Sequence, residues 1–248
     1  MKLVAEGSKA VAEAVKMARP KVIAAYPITP QTHIVERLAE MVSEGELDCE
    51  YITVESEFAA LSVVQGASAR GVRTYSATAS QGLALMHEVL HATSGLRLPI
   101  VMNVANRALS APINIWNDHS DTMAAKDAGW LQVYVENPQE ALDMTLQAFR
   151  IAENPKVSLP IMVCMDGFIL THVLEPIDLP EQAKVDKFIP KFKPNIILDP
   201  DNPVTIGPIS YPDTFMDFKA QQEEGMKEAV KVIDESSKDF EKKFGRKY

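Results

Sequence analysis

The sequence predicts a doubly wound α/β domain on a largely parallel sheet. Apolar and amphipathic segments alternate in strand–helix order from residue 21 to residue 165. Most of the strand segments are continuous apolar runs, as expected where helices cover both sheet faces. Cap residues, prolines and glycines punctuate the helices at the places these residue types favour.

Ser8 is placed to cap a helix over 9–18, which Pro20 ends. Residues 21–26 form a short apolar strand. Thr29 is expected to cap a helix running to Ser43 with Pro30 as its first residue, the favoured position of each type. Residues 50–55 alternate as a strand, residues 57–69 form a helix of small residues closed by Gly71, and residues 73–78 are the next strand. A helix over 81–94 stops at Gly95, a strand follows over 99–104, and a polar loop spans 106–119. A short helix over 120–128, a strand over 131–135, an amphipathic helix over 138–152 and an apolar strand over 160–165 complete the alternation.

Residues 1–172 therefore read as one α/β domain without internal repeats. Residues 173–213 are proline-rich and lack sustained periodicity, which predicts a wrapping arm. Residues 214–248 are expected to form one long charged helix and a linker toward a missing or separate second domain. A helix that polar is expected to pack on a partner or bridge domains.

The 248 residues carry a net charge of −9 and no basic run, which argues against nucleic-acid binding. Apolar residues make up 46% of the chain, enough for a full core. No stretch approaches the ~18 apolar residues of a membrane span, and the first residues lack a signal-peptide pattern, so the cytoplasm is the expected location. Cys49 and Cys164, the two cysteines, lie in apolar runs and are expected to be reduced thiols. Two thiolates cannot hold an iron–sulfur cluster, which usually takes four. Any such cluster would belong to other chains.

Ligands of parallel α/β sheets bind at the carboxyl ends of the strands. Three of those ends carry distinctive residues: Pro27-Ile28-Thr29-Pro30, Ser56-Glu57 and Asn106-Arg107. At a helix start, Thr29 is either a plain cap or part of an anion site made with free N–H groups. Arg107 emerges from a buried strand and needs a partner. That partner is either a bound carboxylate, which suits its fork, or an internal acid such as Asp118 or Asp121. Glu57, in a first turn, either compensates the helix dipole or is a partly buried acid for proton transfer.

A rival pattern is His87-Glu88-Val89-Leu90-His91, which matches the H-E-x-x-H of zinc peptidases. Its third ligand would have to come from His119 or Asp118, neither at a known spacing, and the parallel sheet is an unusual setting. Ser80-Gln81-Gly82 does not match a nucleophile elbow, and no P-loop, G-x-G-x-x-G or C-x-x-C is present.

Taken together, Tyr-Pro-Ile-Thr-Pro (26–30), Glu-Ser-Glu (55–57), Thr-Ala-Ser-Gln-Gly-Leu (78–83) and the segment from Asn106 to Asp121 resemble the alpha subunit of 2-oxoacid:ferredoxin oxidoreductases, most closely the pyruvate enzymes. The motifs occur in order, and the similarity runs from residue 1 to about residue 245. The resemblance implies a thiamine diphosphate-binding fold of the pyrimidine-domain type. It implies a site shared with a beta-type subunit that carries the diphosphate and its Mg²⁺, and no Gly-Asp-Gly metal motif occurs here. Iron–sulfur clusters would sit on beta- and delta-type chains, with a gamma-type chain completing the complex, and ferredoxin and coenzyme A as co-substrates.

Carried over by position, Glu57 would hydrogen-bond the aminopyrimidine ring, while Thr29 and Arg107 would hold the 2-oxoacid. Pro27 and Thr29 would line the cofactor beside Glu57. Family alpha chains continue into a second domain, so this sequence is expected to be either a piece of a longer chain or the partner of a separately supplied domain. Pyruvate is the expected substrate and branched-chain 2-oxoacids the alternative. A non-catalytic assembly subunit and a zinc hydrolase using His87 and His91 are the more distant readings.

Overall fold

The computed structural model describes residues 1–248. In chain order the elements are β1 (Lys2–Glu6), α1 (Gly7–Ala18), β2 (Val22–Ala25), α2 (Thr32–Ser43), β3 (Glu50–Thr53) and α3 (Glu57–Ala69). They continue with β4 (Thr74–Thr78), α4 (Ser80–Leu85), α5 (His87–Gly95), β5 (Val101–Asn106), α6 (Ser120–Ala124) and β6 (Leu131–Val135). The last are α7 (Pro138–Ala152), β7 (Ile161–Asp166), α8 (Gly167–His172), β8 (Leu174–Asp178), α9 (Gln182–Phe188) and α10 (Phe215–Phe244). Strands β2 to β7 form one six-stranded parallel sheet in the order β3-β2-β4-β5-β7-β6.

Helices cover both faces, which is why β4, β5 and most of β7 are buried along their length. One face packs Ile34, Leu38, Val15 and Phe149 from α1, α2 and α7 against Ile23, Tyr75 and Val163 of the sheet. The other packs Leu61, Val64, Leu83 and Leu90 from α3, α4 and α5 against Met102, Val104 and Met162. The connection from β2 leads outward to β3, whereas α3 returns across β2 to β4. The winding therefore reverses between β2 and β4, and a crevice opens at their carboxyl ends, the usual ligand position of such sheets.

Local chemistry sets several boundaries. Ser56 Oγ accepts the Ala59 N–H at 3.2 Å and starts α3, and Asn137 Oδ1 accepts the Glu140 N–H at 2.8 Å ahead of Pro138. The helix expected over 81–94 is two helices. Met86 N–H is shared between the carbonyls of Gly82 and Leu83, so the junction tightens by one residue and α5 leaves in a new direction.

The carboxyl-terminal third departs from expectation. The segment 173–213 is not without regular structure, since it contains β8 and α9. β8 pairs antiparallel with β1, from Lys2 opposite Asp178 to Glu6 opposite Leu174. This pairing ties the segment to the first residues of the domain. The charged helix α10 also packs an apolar stripe onto this chain. It buries Ala229, Val232 and Phe240, with Phe240 edge-on to Phe188 of α9 at 5.2 Å. Its end is anchored by Arg246 and Tyr248 on the buried carboxylate of Asp143 in α7. No helix is long and apolar enough to cross a membrane.

Candidate functional site

The carboxyl ends of β2, β4 and β5 and the start of α3 converge on one rim. Glu57 is the first residue of α3 and only 7% exposed. Its side chain lies against Gly82, just past β4. A Cβ on Gly82 would fall 2.7 Å from Glu57 Oε1 and 2.5 Å from Thr78 Oγ1, so only glycine leaves the carboxyl its place. Glu57 enters no salt bridge, although its charge acts on the nearby Arg107.

Arg107 follows β5 and is 9% exposed. Its Nη1 donates to the Thr29 carbonyl at 2.7 Å and its Nη2 to Gln81 Oε1 at 2.8 Å. Its Nε is buried and has no acceptor. Neither Asp118 nor Asp121 forms a salt bridge with the guanidinium. Asp121 instead accepts the Arg107 backbone N–H at 3.2 Å, and Asp118 accepts the Ser120 N–H. Burial pushes the guanidinium below its ordinary pKa, while the Asp121 and Glu57 carboxylates pull the other way. An arginine stays charged regardless, so a buried cation is left with one N–H on each Nη unspent in addition to Nε.

The structure corrects the placement of Thr29. It does not cap a helix: residues 29–31 form a turn, Gln31 precedes α2, and Thr29 itself is exposed. The cause is Gln31, whose amide donates to the carbonyls of Tyr26 at 3.2 Å and Ala77 at 2.7 Å, closing the ends of β2 and β4 before the helix begins. The anion site argued from helix N–H groups at Thr29 therefore falls. Thr29 still meets Arg107, through its carbonyl. Pro27 is exposed in the same loop.

Six buried side-chain polar atoms lack a hydrogen-bond partner, and four belong to this rim: Gln31 Oε1, Thr78 Oγ1, Asn106 Oδ1 and Arg107 Nε. Folded chains pair nearly all such atoms, so their concentration here marks polar capacity left unspent just beneath the rim. Gln31, Thr78, Gln81, Gly82 and Asp121 were not singled out as site residues by sequence reasoning. The motif at 78–83 holds three of the five, Thr78, Gln81 and Gly82, yet gave no role to any one of them.

The remaining sequence candidates lie elsewhere. His87 and His91 are exposed on α5, their rings edge to face at 4.9 Å. No group of three or more His, Cys, Asp or Glu side chains gathers to hold a metal there or anywhere in the chain. Ser80 Oγ donates into the chain, with Ala108 O at 2.7 Å and Gln81 Oε1 at 2.6 Å, and is fully buried, so it is no nucleophile. Cys164 is buried and Cys49 half-buried. Burial, with Asp48 and Glu50 beside it, pushes the Cys49 thiol up to about 11.

Residues 13–238 match the family model described as pyruvate flavodoxin/ferredoxin oxidoreductase, thiamine diphosphate-binding. The chain belongs to this family. It is 58% identical over 243 residues to the pyruvate synthase subunit PorA of Methanocaldococcus jannaschii, covering 98% of this chain and 62% of that protein. It is 51% identical to the subunit of the same name in Thermotoga maritima, again over 98% of this chain and 62% of the relative. The ketoisovalerate oxidoreductase subunit VorA of Pyrococcus abyssi is 45% identical over 100% of this chain and 62% of its own length. The chain thus spans about three fifths of the curated relatives it matches. A solved 2-oxoglutarate:ferredoxin oxidoreductase from Magnetococcus marinus shares the fold, with a TM-score of 0.75 at 20% identity, over 93% of this chain and 45% of that one.

Proposed function

We propose that this chain is the alpha-type subunit of a pyruvate:ferredoxin oxidoreductase and supplies the pyrimidine half of its thiamine diphosphate site. The complex would convert pyruvate, coenzyme A and oxidised ferredoxin to acetyl-CoA, carbon dioxide and reduced ferredoxin, reversibly. The observation that carries this reading is the pairing, on one rim, of a buried carboxyl without an ion pair and a buried arginine with fork N–H groups to spare. Support also comes from the higher identity to pyruvate synthase subunits than to VorA.

The residues fit the cofactor. The missing side chain of Gly82 leaves the space that the Glu57 carboxyl occupies, and Thr78 Oγ1 at the same place lacks a partner. When bound, thiamine diphosphate supplies the electron sink that a 2-oxoacid needs to lose carbon dioxide and that no side chain provides. Glu57 would share a proton with the ring nitrogen of the aminopyrimidine at its Oε atoms. Arg107 would take the substrate carboxylate through the free N–H groups of its fork, since Thr29 and Gln81 occupy only one N–H on each Nη. The hydroxyl of Thr29, an exposed residue whose carbonyl holds that fork, would meet the substrate carbonyl. Pro27 would close the pyrimidine side of the cleft.

The rim bears exposed apolar side chains, among them Tyr26, Phe58, Ile113, Trp116 and Phe168. A patch of this kind suits a partner chain, here the beta-type subunit with the diphosphate and Mg²⁺. Covering it would exclude water from the reacting centre. Iron–sulfur clusters on beta- and delta-type subunits would pass electrons singly to ferredoxin, with a gamma-type subunit completing the assembly.

The test is to isolate the native complex through a tag on this chain and assay coenzyme A-dependent ferredoxin reduction over a panel of 2-oxoacids. Pyruvate should give the highest kcat/KM. A preference for branched-chain acids would move the assignment to the ketoisovalerate type, and no activity with any 2-oxoacid would refute it. Gly82→Ala should depress this activity more than stability. Overpacking costs about 1–3 kcal/mol, whereas the added methyl displaces the Glu57 carboxyl. Normal activity in Gly82→Ala would show that this space is not needed.

A further inference from the structure

Asp121 is the best-connected side chain at the rim, and the scheme above gives it no task. It is 3% exposed and forms no salt bridge. Four N–H donors compensate its charge. Oδ1 accepts from Asn106 Nδ2 and Thr122 N, each at 2.8 Å, and Oδ2 accepts from Ser80 N at 2.9 Å and Arg107 N at 3.2 Å. An unpaired buried carboxylate is tolerated only where donors converge on it in this way.

The donors come from three separate segments, which Asp121 ties together: the turn after β4, the end of β5, and α6. Ser80 sits at φ +46°, a left-handed conformation that costs energy in a residue with a Cβ. Its N–H is held by Asp121 and its Oγ by the Ala108 carbonyl at 2.7 Å. That conformation sends the next side chain, Gln81, to Arg107 Nη2 at 2.8 Å. The carboxylate thus holds the root of Arg107 directly and its tip through the Ser80–Gln81 turn.

We propose that Asp121 is a positioning residue that aims Arg107 at the substrate carboxylate, with Gln81 transmitting the constraint. This rests on the reading of Arg107 given above. Electrostatics alone predicts the opposite consequence. Removing a negative charge beside Arg107 would strengthen its pull on an anion and lower KM. A rise in KM therefore reports geometry.

The test uses Asp121→Asn and Gln81→Met in the native complex, each alone and combined with Arg107→Ala. Steady-state kinetics with pyruvate are read beside thiamine diphosphate affinity by calorimetry. Each single variant should raise KM roughly tenfold, the effect of one lost charge-assisted hydrogen bond, with kcat and cofactor affinity within about twofold. Neither should add to the KM of Arg107→Ala, because both act through the same side chain. An unchanged or lowered KM, a fall of kcat and cofactor affinity in step with KM, or effects that multiply in the Arg107→Ala background would each overturn the proposal. If Asp121→Asn does not assemble, Gln81→Met decides by the same criteria. An unaltered KM in Arg107→Ala alone overturns the clamp itself, whereas a raised KM there with none in the other two overturns only the positioning role.

Discussion

Replacing Glu57 with glutamine is expected to cut pyruvate-dependent ferredoxin reduction by roughly 10²–10⁴-fold, the usual span for loss of a general acid–base group. The substitution keeps the size and shape of a side chain packed against Gly82, so the chain should fold and assemble as before. Glu57 enters no salt bridge that the change would break, and the start of α3 rests on the Ser56 cap. Loss of a first-turn charge removes a helix-dipole contribution of about 0.3–1 kcal/mol, too little to unfold a domain of this size. Activity should therefore collapse while the melting temperature moves little. Retained turnover would remove Glu57 from the proton-sharing role.

Arg107→Ala is expected to act on the other half of the rim. Two charge-assisted hydrogen bonds to a substrate carboxylate, worth together about 3 kcal/mol after water exchange, correspond to roughly a 10²-fold rise in KM. Thiamine diphosphate affinity should be unaffected. The substitution also frees the Thr29 carbonyl, on an exposed residue that water can reach, while Gln81 Oε1 keeps the Ser80 hydroxyl as a donor, so misfolding is not expected. An unchanged KM for pyruvate would refute the clamp.

Much of the fold is written locally. Where a cap, a proline or a glycine marks a boundary, as at Ser56, Asn137–Pro138 and Gly71, the expected and observed limits of the following or preceding helix coincide for α3 and α7. The parallel sheet was legible because its inner strands β4, β5 and β7 are buried on both faces and β5 and β7 read as apolar runs. The β1–β8 ribbon was not. Its two strands are short, Pro176 interrupts the second, and the pairing joins residues 168 to 176 positions apart. Only tertiary packing reveals such a match.

The site divides the same way. Glu57 and Arg107 could be picked out because charged residues at the ends of buried strands are rare enough to need a reason. Thr29 was misplaced because Thr-Pro is a sound capping signal taken alone. What overrides it is the long-range bond from Gln31 to Ala77, which no local pattern encodes. Asp121 was noted only as a possible ion partner of Arg107, and it binds the backbone N–H of that residue instead. Gln81 and Gly82 belong to a motif whose meaning lies in what approaches them from α3 and β5.

The most direct measurement is the exchange of the C2 proton of thiamine diphosphate for deuterium in the native complex, followed by rapid quench and NMR. Exchange in Glu57→Gln should be slower than wild type by at least roughly 10²-fold with the cofactor still bound, while Arg107→Ala exchanges at the wild-type rate. Wild-type exchange in Glu57→Gln would contradict the account.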